Sequence, residues 1–514
     1  VTVGARGRSR GAGAARPIRT LLVANRGEIA VRVLRAAREM GIRTVAAHAE
    51  DDADALFVEV ADAARLLPGE SPARTYLSAE ALCRAAVDAG ADAIHPGYGF
   101  LAESEAFARA VRDAGLVFVG PPPKAMALVG SKTAAKALAE KAGVPTVPWA
   151  AIEGLDDAGI TRAAARLGYP LLVKASAGGG GKGMRAVLRD ADLLEAVRLA
   201  GAEARSAFGD DRVFLERALA APRHVEIQIL GDAGGRAVAF PERECSIQRR
   251  HQKILEESPS PAVSDDVRGR LEAAAVAIAE AARYVGAGTV EFLVDASGSY
   301  HFLEVNARLQ VEHPVTEAVT GIDLVAWQLR LAAGEALPQS LAGIAPRGHA
   351  IECRLNAEDP ARGFLPTAGR IERLVLPAGP GVRVDTGVRE GDAVSARYDP
   401  LLAKVIAWAE DRPAAVRRIG RALRDTILLG IPSNVGFLAA LVDHAAFVRG
   451  ETATDFLARH GEALVADPEP RDADLAGAAL FEALVGAAAR GAAGGAPRAD
   501  ADPWDRAPGF RCGS

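Results

Sequence analysis

Near the N terminus, "RTLLVANRGEIAVRVLRAAREMGIRTVAAHAE" reads apolar strand, turn, amphipathic helix, apolar strand. That order constrains the fold more than any other feature of the 514-residue chain. The first strand covers Leu21 to Ala24, and the helix starts near Gly27 with Ile29, Val33, Leu34 and Ala37 on one face. Further units follow: a helix over Ala79 to Ala89, a strand in "ADAIHPG", a helix over Glu103 to Ala114 and a strand in "LVFVG". Strands alternating with helices at this spacing predict a parallel α/β sheet over roughly residues 18 to 125. Its first turn, "ANRGEIA", lacks the G-x-G-x-x-G pattern, so a dinucleotide site is not supported.

The length predicts about three domains. "PPPKAMALVGSK" punctuates the end of the first, and a helix from about Lys132 to Ala142 opens a mixed region. Strand-like runs recur there at "VFLERAL", "HVEIQIL", "RAVAFPERECSIQRRHQK" and "GTVEFLVD", the last paired with "SYHFLEVNARLQVEH". From about His349 strands return, and helical text then runs to about His460. Beyond residue 465 one helix-like run gives way to Ala/Gly/Pro-rich sequence that resembles the start of a region the chain does not finish. At the other end, "VTVGARGRSRGAGAARPIR" lacks the apolar core of a secretory signal. It reads as a disordered leader rather than a transit peptide.

A net charge of -5 with no basic block argues against nucleic acid as a partner. No apolar run approaches the roughly 20 residues needed to span a bilayer. The four cysteines form no CxxC pair, which argues against a disulfide framework or zinc site and fits a reducing, cytoplasmic compartment.

Four stretches carry chemistry. In "KASAGGGGKGM", Lys174 ends an apolar strand, Gly178 to Gly181 follow, and Lys182 closes the loop. Glycines let backbone N–H groups approach a polyphosphate while lysines supply charge, although a flexible linker has similar composition. In "TVEFLVD-ASGS-YHFLEVN", a turn centred between Ser297 and Gly298 sets Glu291 directly across from Glu304. Like charges at facing positions destabilise a sheet. A cation between the carboxylates, Mg²⁺ with nucleotide phosphates, relieves that repulsion; two solvated glutamates are the plainer reading.

The third stretch continues from the second. Glu304, Asn306, Arg308, Gln310 and Glu312 alternate with apolar residues, as if one face of a single strand ran on for roughly 26 Å. On that reading Asn306 completes a metal shell, Arg308 offers a fork for an oxyanion such as bicarbonate, and Glu312 is placed as a base. The fourth stretch, "ECSIQRRHQKILEE", reads either as a basic exposed turn or as the polar wall of an anion site.

Together, "ANRGEIA", "HPGYGFLAE", "KASAGGGGKGM", "PRHVEIQIL", "ERECSIQRRHQK", "EVNARLQVEHPVTE" and "GHAIECRLNAEDP" resemble a biotin carboxylase of the ATP-grasp superfamily, from about Arg19 to His460. The resemblance implies an α/β and α+β chain in several parts. These are a leader (1–17), a Rossmann-like N-terminal domain (18–131), an ATP-grasp domain (132–347) with a mobile lid at about 146–220, a C-terminal biotin carboxylase domain (348–460) and a linker (461–514).

It further implies that Lys132 and Lys174 contact ATP phosphates and that Gly180 and Gly181 close over them. Glu216 and the backbone at Leu219 would face adenine, with His224 and Gln248 near the ribose. Glu291, Glu304 and Asn306 would hold Mg²⁺ or Mn²⁺. Lys253, Arg308, Gln310, Val311 and Glu312 would bind bicarbonate, with Glu312 as base. Arg354 would stabilise the biotin enolate, with Tyr98 and His251 lining the same pocket. Four of only eight lysines, Lys132, Lys174, Lys182 and Lys253, fall in these segments.

Two departures from the family pattern stand out. Lys182 occupies a loop position often held by Arg, which preserves its charge. No biotin-acceptor "MKM" exists, the three methionines being Met40, Met126 and Met184. The biotin is therefore expected on a separate carrier domain or chain, with a carboxyltransferase β subunit as further partner and a homodimer as the assembly. "DPWDRAPGFR" resembles the region that follows the carboxylase part of long acyl-CoA carboxylase α chains, and a truncated α chain is the expectation. The competing readings are a pyruvate or urea carboxylase, another ATP-grasp ligase, and a catalytically silent scaffold.

Overall fold

The structure is a computed structural model describing residues 17–178, 181, 183–465, 472 and 475–483. The chain forms two compact units divided after Val465. In the second, the described residues are helical and exposed. The rest of the expected linker, and the leader before residue 17, lie outside the described residues.

The first unit opens with a five-stranded sheet, parallel throughout, in which Thr20–Val23 lies between Arg43–His48 and Ala93–His95. Strand order reverses at Thr20–Val23, so the crevice beyond its C-terminal end is the switch point of the sheet. Asn25 fixes that crevice, its amide donating to the carbonyls of Pro96 and Tyr98, both at 2.7 Å.

A nine-stranded antiparallel sheet follows, with Ala237–Ala239 paired off its main path to Arg223–Gly231. Its path runs from Tyr300–Asn306 through Gly286–Val294, Arg223–Gly231, Arg243–Arg249, Gln252–Ser258 and His349–Asn356 to Leu401–Ala409 and Val382–Thr386. Leu255 pairs with Cys353, so the sheet runs unbroken across the boundary expected near residue 347. The first two regions are also joined by packing. Leu22 and Ile94 share one buried cluster with Ile227 and Phe292, and Leu34 shares another with Leu230 and Leu309.

A smaller four-stranded sheet of Trp149–Ala151, Val213–Arg217, Leu171–Ala175 and Arg185–Val187 stands apart from this body. It carries its own core, in which Ile160 and Leu193 of two helices cover Leu171, Val173 and Leu215. A unit with a separate core can move as one piece.

The structure corrects one element. The expected strand through Glu312 stops at Asn306, which pairs with Thr289; residues 307–310 are irregular, and Glu312 is the N-cap of the helix His313–Thr320. Alternation survives the loss of pairing because Ala307 and Leu309 plug the core. Pro314 sits in the first helical turn, where its missing N–H leaves no intrahelical bond unmade.

Candidate active site

Glu291 pairs directly with Glu304, as the hairpin arithmetic requires; a bulge between Glu291 and Phe292 shifts the register toward the turn. The repulsion between the two carboxylates is relieved by the protein's own cations. Lys253 Nζ lies 2.9 Å and His224 Nε2 3.0 Å from Glu291, while Lys132 Nζ lies 3.5 Å from Glu304. Burial disfavours the charged forms of both His224 and Glu291. Glu291 outweighs it at the histidine, raising its pKa, while Lys253 and then His224 outweigh it at Glu291, depressing the carboxyl pKa.

The two glutamates, facing each other with oxygen donors only, fit a hard divalent cation. Asn306 Oδ1 accepts from Arg308 at 3.3 Å, so its oxygen would be shared with such an ion.

A cavity of about 680 Å³ lies between the small sheet and the body. Lys132, Lys174, Gly181, Glu216, Leu219, His224, Gln248, His251, Glu291 and Glu304 all line it. The Gln248 amide lies 2.6 Å from His224 Nδ1, which fixes the ring that faces Glu291. "SIQRRHQK" is a tight hairpin whose tip residues, Arg250 and His251, both adopt left-handed backbone (φ 49° and 66°). Such backbone is strained for residues with side chains and clusters at functional sites. Here it brings Arg249, Arg250 and His251 to the cavity wall, with His251 packed against Gly181. Gly180 and Lys182 lie outside the described residues.

Beyond Glu291 the cavity gives way to a buried ionic cluster. Lys253 sends its ammonium to Glu226 at 2.5 Å, Glu291 at 2.9 Å and Glu312 at 2.7 Å. Arg354 donates to Glu312 at 2.8 Å and to Glu256 at 2.7 Å, and Arg243 backs Glu226 at 2.5 Å. Burial opposes the charge on Glu312, but Lys253, Arg354 and Arg243 together hold its carboxyl well below the usual range. Burial pushes Glu256 the other way, up to about 7, with Arg354 opposing.

Arg308 donates to Gln310 Oε1 at 2.8 Å and to Glu103 at 3.0 Å, while Glu103 also accepts the Ala307 N–H at 3.0 Å. Gln310 reaches back to Glu291 at 3.4 Å. The Val311 carbonyl accepts from the buried Lys404 at 3.0 Å. Tyr98 is not among the residues lining the cavity that holds His251, and its ring lies 5.9 Å from Lys404 Nζ.

Sequence reasoning missed Glu103, Lys136, Glu226, Arg243, Glu256 and Lys404. Lys136 and Lys404 carried a usable signal: in a chain with 61 Lys and Arg residues but only eight lysines, both are fully buried.

A parallel switch-point sheet, a two-sheet clamp around a lysine-lined cavity, and a facing pair of carboxylates define an ATP-grasp ligase. Three family models cover most of the chain. They are "Biotin carboxylase, N-terminal domain" (17–126), "Carbamoyl-phosphate synthase L chain, ATP binding domain" (131–340) and "Biotin carboxylase C-terminal domain" (352–459). A biotin carboxylase from Nostoc sp. is 46% identical over 440 residues, covering 85% of this chain and 98% of the relative.

The mitochondrial methylcrotonoyl-CoA carboxylase subunit alpha of Dictyostelium discoideum is 44% identical, covering 96% of this chain and 71% of that subunit. The mouse counterpart is also 44% identical, and the chain spans 65% of its length. Among solved structures, the biotin carboxylase domain dimer of Hydrogenobacter thermophilus 2-oxoglutarate carboxylase, in complex with MgADP, ADP and bicarbonate, matches with a TM-score of 0.85. It is 42% identical, over 88% of this chain and 100% of that one. The chain belongs to the biotin carboxylase family.

Proposed function

We propose that this chain carboxylates biotin on a carrier domain or chain, using ATP and bicarbonate, as the biotin carboxylase component of an acyl-CoA carboxylase. The observation that carries the proposal is the unbroken ionic path from the cavity at Glu291, through Lys253, to Glu312 and Arg354. It sets a place for a nucleotide beside a place for a small oxyanion.

In this reading Lys132 and Lys174 take the phosphates, with Glu216 and Leu219 near adenine and His224 and Gln248 near the ribose. The unit at about 146–220, with its glycine loop, closes over the nucleotide and excludes water from a labile intermediate. Glu291, Glu304 and Asn306 would hold Mg²⁺ or Mn²⁺, which supplies charge neutralisation at the phosphates. Bicarbonate enters between Arg308, Gln310, the Val311 backbone and Lys253.

As it binds, bicarbonate draws Lys253 and Arg308 toward its own oxygens. Glu312 then keeps fewer donors and becomes a stronger base than the clamped carboxylate of the free enzyme. Glu312 removes the bicarbonate proton, a bicarbonate oxygen attacks the γ-phosphorus, and the bond to ADP breaks, giving carboxyphosphate. Carboxyphosphate releases CO₂ and phosphate. Phosphate takes the biotin N1′ proton, Arg354 stabilises the enolate-like ureido oxygen, and the nitrogen attacks CO₂.

Names of relatives support the acyl-CoA assignment. A carboxyltransferase β subunit, a biotin carrier and a homodimer are the proposed partners. A pyruvate carboxylase of Rhizobium etli is also similar, 45% identical over 89% of this chain, and favours pyruvate as the second choice of acceptor. The three described cysteines are free, and the cytoplasm is the proposed compartment. No helix among the described residues is long and apolar enough to cross a membrane.

ATP hydrolysis by the purified chain should depend on bicarbonate, rise with free biotin, and vanish in Glu304→Gln. Hydrolysis that ignores bicarbonate, or that follows ammonia instead, would point to a different ligase.

A further inference from the structure

One carboxylate in the nucleotide cavity is held by two lysines. Glu216 Oε2 lies 2.6 Å from Lys136 Nζ, while Oε1 accepts from Lys174. Lys136 and Glu216 are each only 1% exposed, whereas Lys174 is 11% exposed and stands toward the cavity. Lys136 lies one turn beyond Lys132 on the helix Lys132–Lys141, and Glu216 and Lys174 come from adjacent strands. The three groups therefore meet at the seam between the body and the small sheet.

The charges decide what this arrangement does. A Glu216–Lys174 pair alone is neutral and offers a phosphate little attraction. With Lys136 added the unit carries a net positive charge, and of the three side chains, all in the cavity wall, Lys174 is the most exposed. Burial opposes the charge on Glu216, but Lys174 and Lys136 hold its carboxyl below the usual range. Burial lowers the Lys136 pKa, against the pull of Glu216.

We propose that Lys136 is a positioning residue for the nucleotide phosphates: it neutralises Glu216, so that Lys174 can give its charge to the ligand. The inference rests on the reading of this cavity as the ATP site. Lys136 is only 1% exposed in the cavity wall, and its effect on the ligand is exerted through Glu216.

A double-mutant cycle with two probes tests this. Affinities of MgADP and of adenosine are measured by calorimetry for wild type, Lys136→Met, Glu216→Gln and the double variant, with Lys174→Met as reference. Lys136→Met should weaken MgADP about tenfold while leaving adenosine within about twofold, because only MgADP carries charge to the lysine. In the Glu216→Gln background the same substitution should cost MgADP almost nothing.

Unchanged MgADP affinity in Lys136→Met overturns the inference if Lys174→Met still loses it. If Lys174→Met also binds MgADP normally, the assignment of the cavity to ATP phosphates fails instead. Equal losses for adenosine and MgADP, or equal losses in both Glu216 backgrounds, reduce Lys136 to a structural tether and overturn the proposal. Should Lys136→Met fail to fold, Glu216→Gln alone decides. MgADP relative to adenosine should then bind at least as tightly as in wild type, and a selective loss of MgADP refutes the idea.

Discussion

Replacing Glu312 with glutamine tests the anion half of the site. The carboxylate is fully buried and accepts from Lys253 at 2.7 Å and from Arg354 at 2.8 Å. An amide keeps one acceptor oxygen and turns an N–H₂ toward the other cation, so at least one charge-assisted bond is lost. Such bonds contribute about 1.5–3 kcal/mol each. The fold should survive, because Lys253 keeps Glu226 and Glu291 while Arg354 keeps Glu256. Catalysis loses more than stability: removal of a positioned base costs roughly 10²- to 10⁴-fold.

Glu312 does not line the nucleotide cavity, so MgADP affinity should stay within about twofold of wild type. The assay is phosphate release at saturating ATP, with and without bicarbonate, beside calorimetry with MgADP. Turnover within about tenfold of wild type, at unchanged nucleotide affinity, would refute the assignment of the base. There is a pH corollary. The carboxyl is depressed, so it is ionised above the ordinary carboxylate range and becomes protonated only well below it. Glu312 in the free enzyme should therefore add no acidic limb to the kcat/KM profile above about pH 5.

Three further outcomes follow from neighbouring contacts. Glu103→Ala removes the acceptor of Arg308 and of the Ala307 N–H, and should raise the KM for bicarbonate roughly tenfold with MgADP affinity unchanged, as steady-state kinetics and calorimetry would show. Gly181→Ala places a Cβ 2.6 Å from the His251 ring at φ +76°, and should raise the KM for ATP; an unchanged KM would mean that this backbone adapts freely. Glu28 is buried and, despite Lys404 nearby, its pKa is pushed up to about 7, above its unfolded value. Between roughly pH 4.5 and 7 the unfolded chain has released this proton and the folded chain has not, so the contribution of Glu28 to stability falls as pH rises. The thermal midpoint of Glu28→Gln should gain on wild type over that interval, and a gap independent of pH would contradict the argument.

How far the sequence could be read depended on what the local period reports. The parallel sheet was legible because helix and strand periods alternate from Leu21 onward, and the Glu291–Glu304 pairing followed from two alternating runs around Gly298. The same period misled at 307–312, where Ala307 and Leu309 point into the core from irregular backbone rather than from a paired strand. A two-residue period reports alternating burial; hydrogen bonding to a neighbour is a separate matter.

The ionic partners were hidden for a related reason. Glu226 and Arg243 sit in strands whose charged positions look like a solvated face, and only the meeting of distant strands buries both. Lysine scarcity was the better guide, since five of the eight lysines, Lys132, Lys136, Lys174, Lys253 and Lys404, converge on the site or on the loop that shapes it.

In the proposed reaction bicarbonate, rather than water, attacks ATP and then delivers its carbon to biotin. Incubation with ATP, Mg²⁺, free biotin and bicarbonate labelled with both ¹³C and ¹⁸O tests this directly. Carboxybiotin should carry ¹³C, and each phosphate released should carry one bicarbonate ¹⁸O. Phosphate carrying only oxygen from ATP and water, with no label in biotin, would contradict it.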